Sequence, residues 1–237
     1  MSRVVAKIKN LCAEGGSAEE GRMSSEDRRH QLIRVAIALF SKKGFSGTTT
    51  KEIARVAGVT EAIIFRHFPT KDDLYAAILD EKAKQLEFDE WLEEMRDHAT
   101  RRDDEAVFHA LIKKLVDFHR KDPDFMRLML FSALENHTLA QKFHDRRGDS
   151  LHKFLRGYLL ARQREGAFEN LNINATICAC FAMPMHYSMV RQLFQFKHLE
   201  VSDKEAISTF TQLLLSGLYR EPANIKSTLN SSKRKSE

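Results

Sequence analysis

The sequence predicts an all-α protein in which a small three-helix head, containing a helix-turn-helix, precedes a larger helical body. Three observations carry this. Only four Pro and ten Gly occur in 237 residues while 43% of residues are hydrophobic, a balance that favours long helices around a real core over a turn-rich β fold. Apolar residues recur at three- and four-residue spacing along most of the chain. Capping signatures also precede several of these segments: Ser24 with Asp27, Thr49 with Glu52, Thr70 with Asp73 and Ser202 with Glu205.

The elements follow in order. Residues 1–23 hold Gly15, Gly16, Gly21 and the pair Glu19–Glu20 without sustained periodicity, and read as a disordered extension, with Met23 an alternative start. A first helix opens at Ser24, carries Leu32, Ile33, Ala36, Ile37, Leu39 and Phe40, and stops at Gly44. A second, short helix follows Thr49, carries Ile53, Ala54 and Ala57, and ends at Gly58, where a left-handed backbone angle costs little. A third, capped by Thr60, runs through Ile63, Ile64, Phe65 and Phe68 until Pro69, which lacks the amide donor. Thr70 and Asp73 open a fourth through Leu74 and Ile78. The head thus spans 24–80 and the body 81–221, with a disordered basic tail over 222–237.

Within the body, the charged stretch Glu87, Asp89, Glu90, Glu93 and Glu94 around Trp91 reads as a solvated helix face. Amphipathic segments follow over 104–120, over 123–136 with Asp122 as cap and Pro123 at the first helical position, and over 138–165. An apolar segment spans 174–197, where Pro184 predicts a kink, and a last helix passes through Phe210, Leu213, Leu214 and Leu218.

Composition limits the chemistry. Of the net charge of +5, Lys226, Lys233, Arg234 and Lys235 against Glu237 contribute +3, so the rest of the chain is only mildly basic. Cys12, Cys178 and Cys180 are too scattered for a disulfide framework, and no run reaches membrane-spanning length, which predicts a cytoplasmic protein with no membrane partner. Cys178 and Cys180 are expected on different helix faces, and His137, His144 and His152 have no acidic or Cys partner at ligand spacing, so neither metal nor cofactor is expected. No nucleophile, paired carboxylate or glycine-rich phosphate loop stands out, so no enzyme activity is predicted.

The chemistry-bearing pattern is the pair of short capped helices joined by Gly58–Val59. The second helix of such a motif enters the DNA major groove, which places Thr60, Glu61 and Ala62 at base edges. Thr60 can bond a base or touch a thymine methyl, Glu61 can accept from a cytosine amino group, and Ala62 permits close approach. For Glu61 a solvent-facing carboxylate that favours the helix dipole is an equal reading. Thr48, Thr50, Lys51, Arg66, His67 and Lys71 surround that helix as candidate phosphate contacts. The expected partner is double-stranded DNA.

From Gly44 to Tyr75 the sequence resembles the DNA-binding signature of the TetR family of transcriptional regulators, with the Gly58–Val59 turn, the aromatic Phe65, the His67–Phe68 pair and Lys71 after the proline in register. Ile63-Ile64-Phe65 replaces a common Thr-Leu-Tyr, so a tyrosine hydroxyl that often reaches phosphate is missing and Phe65 is left to pack against the DNA backbone. The resemblance implies a homodimer on a palindromic operator and an effector pocket in the body, hence a repressor released by an apolar small molecule. The alternative is an architectural or division-control DNA-binding protein without such a ligand. For the pocket, the apolar candidates are Phe108, Leu111, Leu115, Phe118, Phe125, Met129, Phe154, Tyr158 and Met183, with His186 and Tyr187 beside Pro184. Taken singly, each apolar candidate reads first as core, and the resemblance favours a pocket only for the group; His186 and Tyr187 read equally as cavity lining or as satisfying a local bend. Dimerisation is expected through 174–197 and 203–219, which are apolar beyond one core-facing stripe, with Ile177, Phe181, Leu193, Phe210, Leu213 and Leu214 as candidates.

Overall fold

Capping chemistry sets most of the helix boundaries in the computed structural model, which describes residues 23–85, 87–135, 149–196 and 200–220. The extension before Met23, the basic tail, His137, His144 and the first part of the 138–165 segment lie outside the described residues. Helix α1 (Ser25–Lys43) starts where Ser24 Oγ accepts from the Asp27 amide at 3.0 Å, and ends at Gly44 with φ +72°. Helix α2 (Thr50–Ala57) is capped by Thr49, which accepts from the Glu52 amide at 3.1 Å, and closed by left-handed Gly58. The Glu52 carboxylate leaves the cap and pairs with Lys43 at 2.6 Å, tying α2 to the end of α1.

Helix α3 (Glu61–His67) begins at Thr60, but no side-chain cap forms; the Ile63 amide donates instead to the Thr60 carbonyl at 3.0 Å in a tighter turn. Helix α4 (Lys71–Gln85) shows the reciprocal box, with Asp73 N to Thr70 Oγ1 at 3.1 Å and Thr70 N to Asp73 Oδ2 at 3.0 Å.

In the body, α5 (Phe88–Thr100) turns the charged stretch into an amphipathic helix whose Phe88, Trp91, Leu92, Met95 and Ala99 are buried while Glu90, Glu93 and Glu94 face solvent. Helix α6 (Asp104–Lys121) and α7 (Pro123–Leu134) are capped by Asp103 and Asp122, with Pro123 in the first turn. Helix α8 (Asp149–Arg164), α9 (Ile173–Met189) and α10 (Asp203–Leu218) complete the body. Pro184 is accommodated inside α9, which runs on into a π-helical turn over Val190–Phe194. A full capping box at Ser202 and Glu205 starts α10.

Two cores result. The head core joins Leu32, Phe40, Ile53, Ile64, Leu74 and Ile78 of α1–α4 to Phe125 and Leu128 of α7. The body core joins α5, α6, α8, α9 and α10 around Met95, Phe108, Leu111, Leu155 and Cys180. Helix α7 is therefore a body element that also completes the head. A Lys82–Asp122 ion pair at 2.5 Å stitches α4 to the start of α7. Among the described residues no helix is long and apolar enough to cross a membrane.

Candidate nucleic-acid interface

The α2–α3 unit owes its shape to one glycine, one anchor and one bridge. Gly58 (φ 70°, ψ 33°) reverses the chain, and the Val59 amide donates to the Ala54 carbonyl at 3.0 Å. Ile64 is fully buried under α3 and fixes which face points outward. The Thr50 hydroxyl donates to Glu61 Oε2 at 3.0 Å, joining the first turns of α2 and α3. Thr60, Ala62, Phe65 and Arg66 lie on the exposed side, Phe65 with 44% of its surface open, and Lys51 is exposed at the start of α2.

Two phosphate candidates are placed otherwise than their chemistry suggests. Thr48 is completely buried and its hydroxyl donates to the Gly44 carbonyl at 2.9 Å, so it braces the α1–α2 turn and is not presented outward. Lys71 turns inward: its ammonium donates to the Phe45 carbonyl and lies 3.9 Å from the Phe45 ring centre. Burial holds the Lys71 pKa below the ordinary lysine value, partly offset by Glu135. His67, half-buried at the end of α3, is likewise held below the usual histidine value, first by burial and then by Arg66, Arg29 and Arg28.

A residue that sequence reasoning missed organises this corner. Glu135, just past the end of α7, accepts from the Phe45 and Ser46 amides at 2.8 and 3.3 Å. A side chain at Gly44 would collide with that carboxylate, which with the positive φ explains the glycine. No sequence signal pointed to a contact across ninety residues. Glu135→Ala is expected to lower the melting temperature by a few degrees, because two amides lose a charged acceptor worth roughly 1–2 kcal/mol at this half-buried site. Hydrogen exchange should accelerate at Phe45 and Ser46. Unchanged exchange there would refute the bracing role.

The comparisons agree with this geometry. Residues 32–78 match the family model for bacterial regulatory proteins of the tetR family, a span holding most of α1 and all of α2 and α3. Residues 32–78 therefore carry the DNA-binding domain of that family. It is 27% identical to nucleoid occlusion factor SlmA of Haemophilus ducreyi over 178 residues, covering 72% of this chain and 85% of that protein. It is 25% identical to the HTH-type transcriptional repressor NicS of Pseudomonas putida over 213 residues, covering 84% and 96%. The solved ketosteroid transcriptional regulator KstR2 of Mycobacterium tuberculosis superposes with a TM-score of 0.56 at 18% identity, covering 85% of this chain and 98% of that one. The protein is thus a DNA-binding transcriptional regulator on the TetR fold.

The apolar candidates for the pocket separate into four groups. Phe108 and Leu111 are fully buried in the body core, with Leu115, Phe118 and Phe154 packed against it, while Phe125 and Met129 belong to the head core. Tyr158 donates its hydroxyl to buried Asp104. Only Met183, His186 and Tyr187 of the set line the apolar cavity of about 430 Å³ between α9, its π-helical turn and α10. Val190 continues that stripe at helical spacing, a periodicity legible in the sequence, whereas Val201, Ala206 and Thr209 join it from across the fold.

The interface candidates divide as well. Ile177 and Leu214 are buried inside the protomer's own core, correcting their assignment to a partner-facing surface. Phe181, Leu193 and Phe210 are half-buried, and Leu213 is 57% exposed. Met185, 40% exposed and one helical turn after Phe181, belongs with them and was missed. Cys178 is exposed and Cys180 buried, on different faces of α9.

Proposed function

We propose that this TetR-family regulator is a homodimeric repressor whose two α3 helices read the half-sites of a palindromic operator, and which an apolar small molecule releases. The observation that carries the reading is the rigid presentation of α3. Ile64 anchors it from below, the Thr50–Glu61 bond holds its tip, and Thr60, Ala62 and Phe65 are left outward. Thr60 makes no capping bond, which leaves its hydroxyl to meet a base edge or phosphate. Glu61 already accepts from Thr50, which favours a third role for it: setting the angle between α2 and α3.

The effector reading rests on the cavity and on the contacts leading from it. Val190 of the lining opens the π-helical turn, and the Gln192 carbonyl in that turn accepts from Arg127 of α7 at 3.5 Å. Helix α7 in turn enters the head core through Phe125 and Leu128 and holds the α1–α2 turn through Glu135. A ligand that repacks the π-helical turn therefore has a contiguous route to the orientation of the head. π-Helical turns recur at functional sites. Half-sites lie about one helical turn apart, so a shift of a few Å between heads disrupts simultaneous contact. Likeness to a nucleoid occlusion factor favours one other reading, a DNA-binding division-control protein without a small-molecule effector.

The test is selection of binding sequences from a randomised duplex pool, followed by titration in salt. Thr60→Val is expected to change preference at one operator position by about 1–3 kcal/mol and leave the salt slope intact. Lys51→Ala is expected to weaken binding to all sequences alike and reduce that slope by about one. An unchanged selected motif for Thr60→Val would remove Thr60 from base reading. Failure of the parent protein to select any motif would overturn the regulator mechanism proposed here.

A further inference from the structure

The strongest unassigned charge cluster lies where the start of α1 meets the end of α3. The Arg29 guanidinium sits 5.2 Å from the centre of the Phe68 ring, which is itself buried. Stacking of this kind fixes the plane of the guanidinium while leaving edge N–H donors to a further acceptor. Arg28 Nη1 donates to Gln31 Oε1 at 2.6 Å, and Gln31 Nε2 donates to the Ala57 carbonyl at 3.3 Å, so Arg28 is tethered to the last turn of α2. Arg66 is exposed on the last turn of α3.

The nearby acids are engaged elsewhere. Asp27 accepts from Ser24, Glu26 lies 3.9 Å from His30, and Glu81 lies 3.4 Å from the same imidazole. Among the described residues no carboxylate forms an ion pair with Arg28, Arg29 or Arg66, whereas Lys43, Arg96, Arg102, Lys113 and Arg162 all have one. His67, between them, has its Nε2 buried without a partner, and burial, followed by the surrounding arginines, lowers its pKa. Two held guanidiniums and the exposed Arg66 beside them, with no ion-pair partner among the described residues, constitute a site for an anion that comes from outside.

We propose that Arg28, Arg29 and Arg66 form a phosphate clamp that grips the DNA backbone beside the C-terminal end of the recognition helix. The dimensions fit. The 7 residues of α3 span on the order of 10 Å, and the major groove is about 12 Å wide. Lys51, in the first turn of α2 that the Thr50–Glu61 bond joins to the start of α3, and the arginine cluster at the far end of α3 therefore reach opposite walls of one groove. Guanidinium donors suit this role because their planar fork matches phosphate oxygens, and stacked, tethered side chains lose little rotamer freedom on binding. The clamp rests on the reading of α3 as the helix that faces DNA, and it adds the start of α1, which the helix-turn-helix pattern does not include.

The experiment uses the full-length protein with Arg28→Gln/Arg29→Gln together, Arg66→Gln alone, and Arg28→Lys/Arg29→Lys as the charge-conserving control. Binding to a fluorescent duplex that the parent protein selects is titrated at several KCl concentrations, with melting temperatures measured in parallel. The slope of log K against log salt should shrink by about 0.9 for each phosphate that is no longer neutralised, hence by about 1.8 per head in the double glutamine variant. The selected motif should stay the same, and the lysine variant should recover most of the slope. A glutamine pair with the parent's slope and affinity overturns the clamp, as does a loss equal to that of the lysine variant. If the double variant melts early, Arg66→Gln, on an exposed position, carries the test, and an unchanged slope there overturns the arrangement. Should the parent itself bind every duplex without salt dependence, the DNA-facing reading of α3 fails, a result distinct from failure of the clamp alone.

Discussion

Replacing Asp104 with alanine is expected to cost about 3 kcal/mol of folding stability and to lower the melting temperature by roughly 6–12 °C. Asp104 opens α6 and is 3% exposed. Its carboxylate accepts from Arg162 Nε at 2.9 Å and Nη2 at 2.7 Å, from the Tyr158 hydroxyl, and from the Tyr219 hydroxyl at 3.3 Å. One side chain thereby joins α6, α8 and the residue after α10. Beside it the chain is further closed by Glu169 N donating to the Leu218 carbonyl at 2.7 Å and Arg220 N to the Ala167 carbonyl at 3.2 Å. The pair raises the Arg162 pKa above its usual range, and burial followed by Asp104 raises that of Tyr158.

Alanine would strand a largely buried guanidinium, and losing one member of a buried pair typically costs about 3–5 kcal/mol. The lower end applies because Arg162 keeps Glu165 at 2.6 Å. Asp104→Asn, which retains acceptor oxygen but not charge, should fall between parent and alanine. Calorimetric melting decides the matter: a shift under about 2 °C for Asp104→Ala would mean the network contributes nothing net.

A body that no longer dimerises should lose operator affinity by about 10²- to 10⁴-fold, because two tethered half-site contacts become one. Met185→Glu with Leu213→Glu is the informative pair. Both residues are exposed within the protomer, on α9 and α10, so charging them spares the core. Leu214 would be the wrong target, since it is buried in the protomer and its substitution would mix unfolding with dissociation. Gly217, one turn beyond Leu213, has open space where a Cβ would stand and lets another helix approach closely. Sedimentation should give monomers with an unchanged melting profile at high dilution. Persistent dimers would locate the interface away from these two helix faces.

Much of this protein is legible in the sequence because it depends on neighbours three or four residues apart. Ser24, Thr49, Asp122 and Ser202 cap the helices they announce, Gly58 takes the left-handed turn, and the helix-turn-helix follows from these alone. The buried stripe of α5 was obscured by its charges, yet Phe88, Trp91, Leu92 and Met95 keep helical spacing and could have been found. What could not be found is which of several available partners a polar group takes. Thr60 lacks its cap bond because the backbone carbonyl takes the amide first, and Thr48 and Thr50 spend their hydroxyls on Gly44 and Glu61.

Nor does periodicity say which apolar face meets which. It marks Phe125 and Leu128 as buried, but only packing assigns them to the head core and not to the body they are connected to. The same holds for Ile177 and Leu214, apolar residues whose burial inside one protomer or between two depends on the angle between α9 and α10. The 430 Å³ cavity is a mismatch between those helices and the turn beside them, so it is a property of their docking. Helix boundaries and the DNA-binding motif were thus determined by short-range chemistry in the chain. The division of the cores, the Glu135 brace and the cavity were decided by tertiary packing, which brings together groups that no sequence spacing relates.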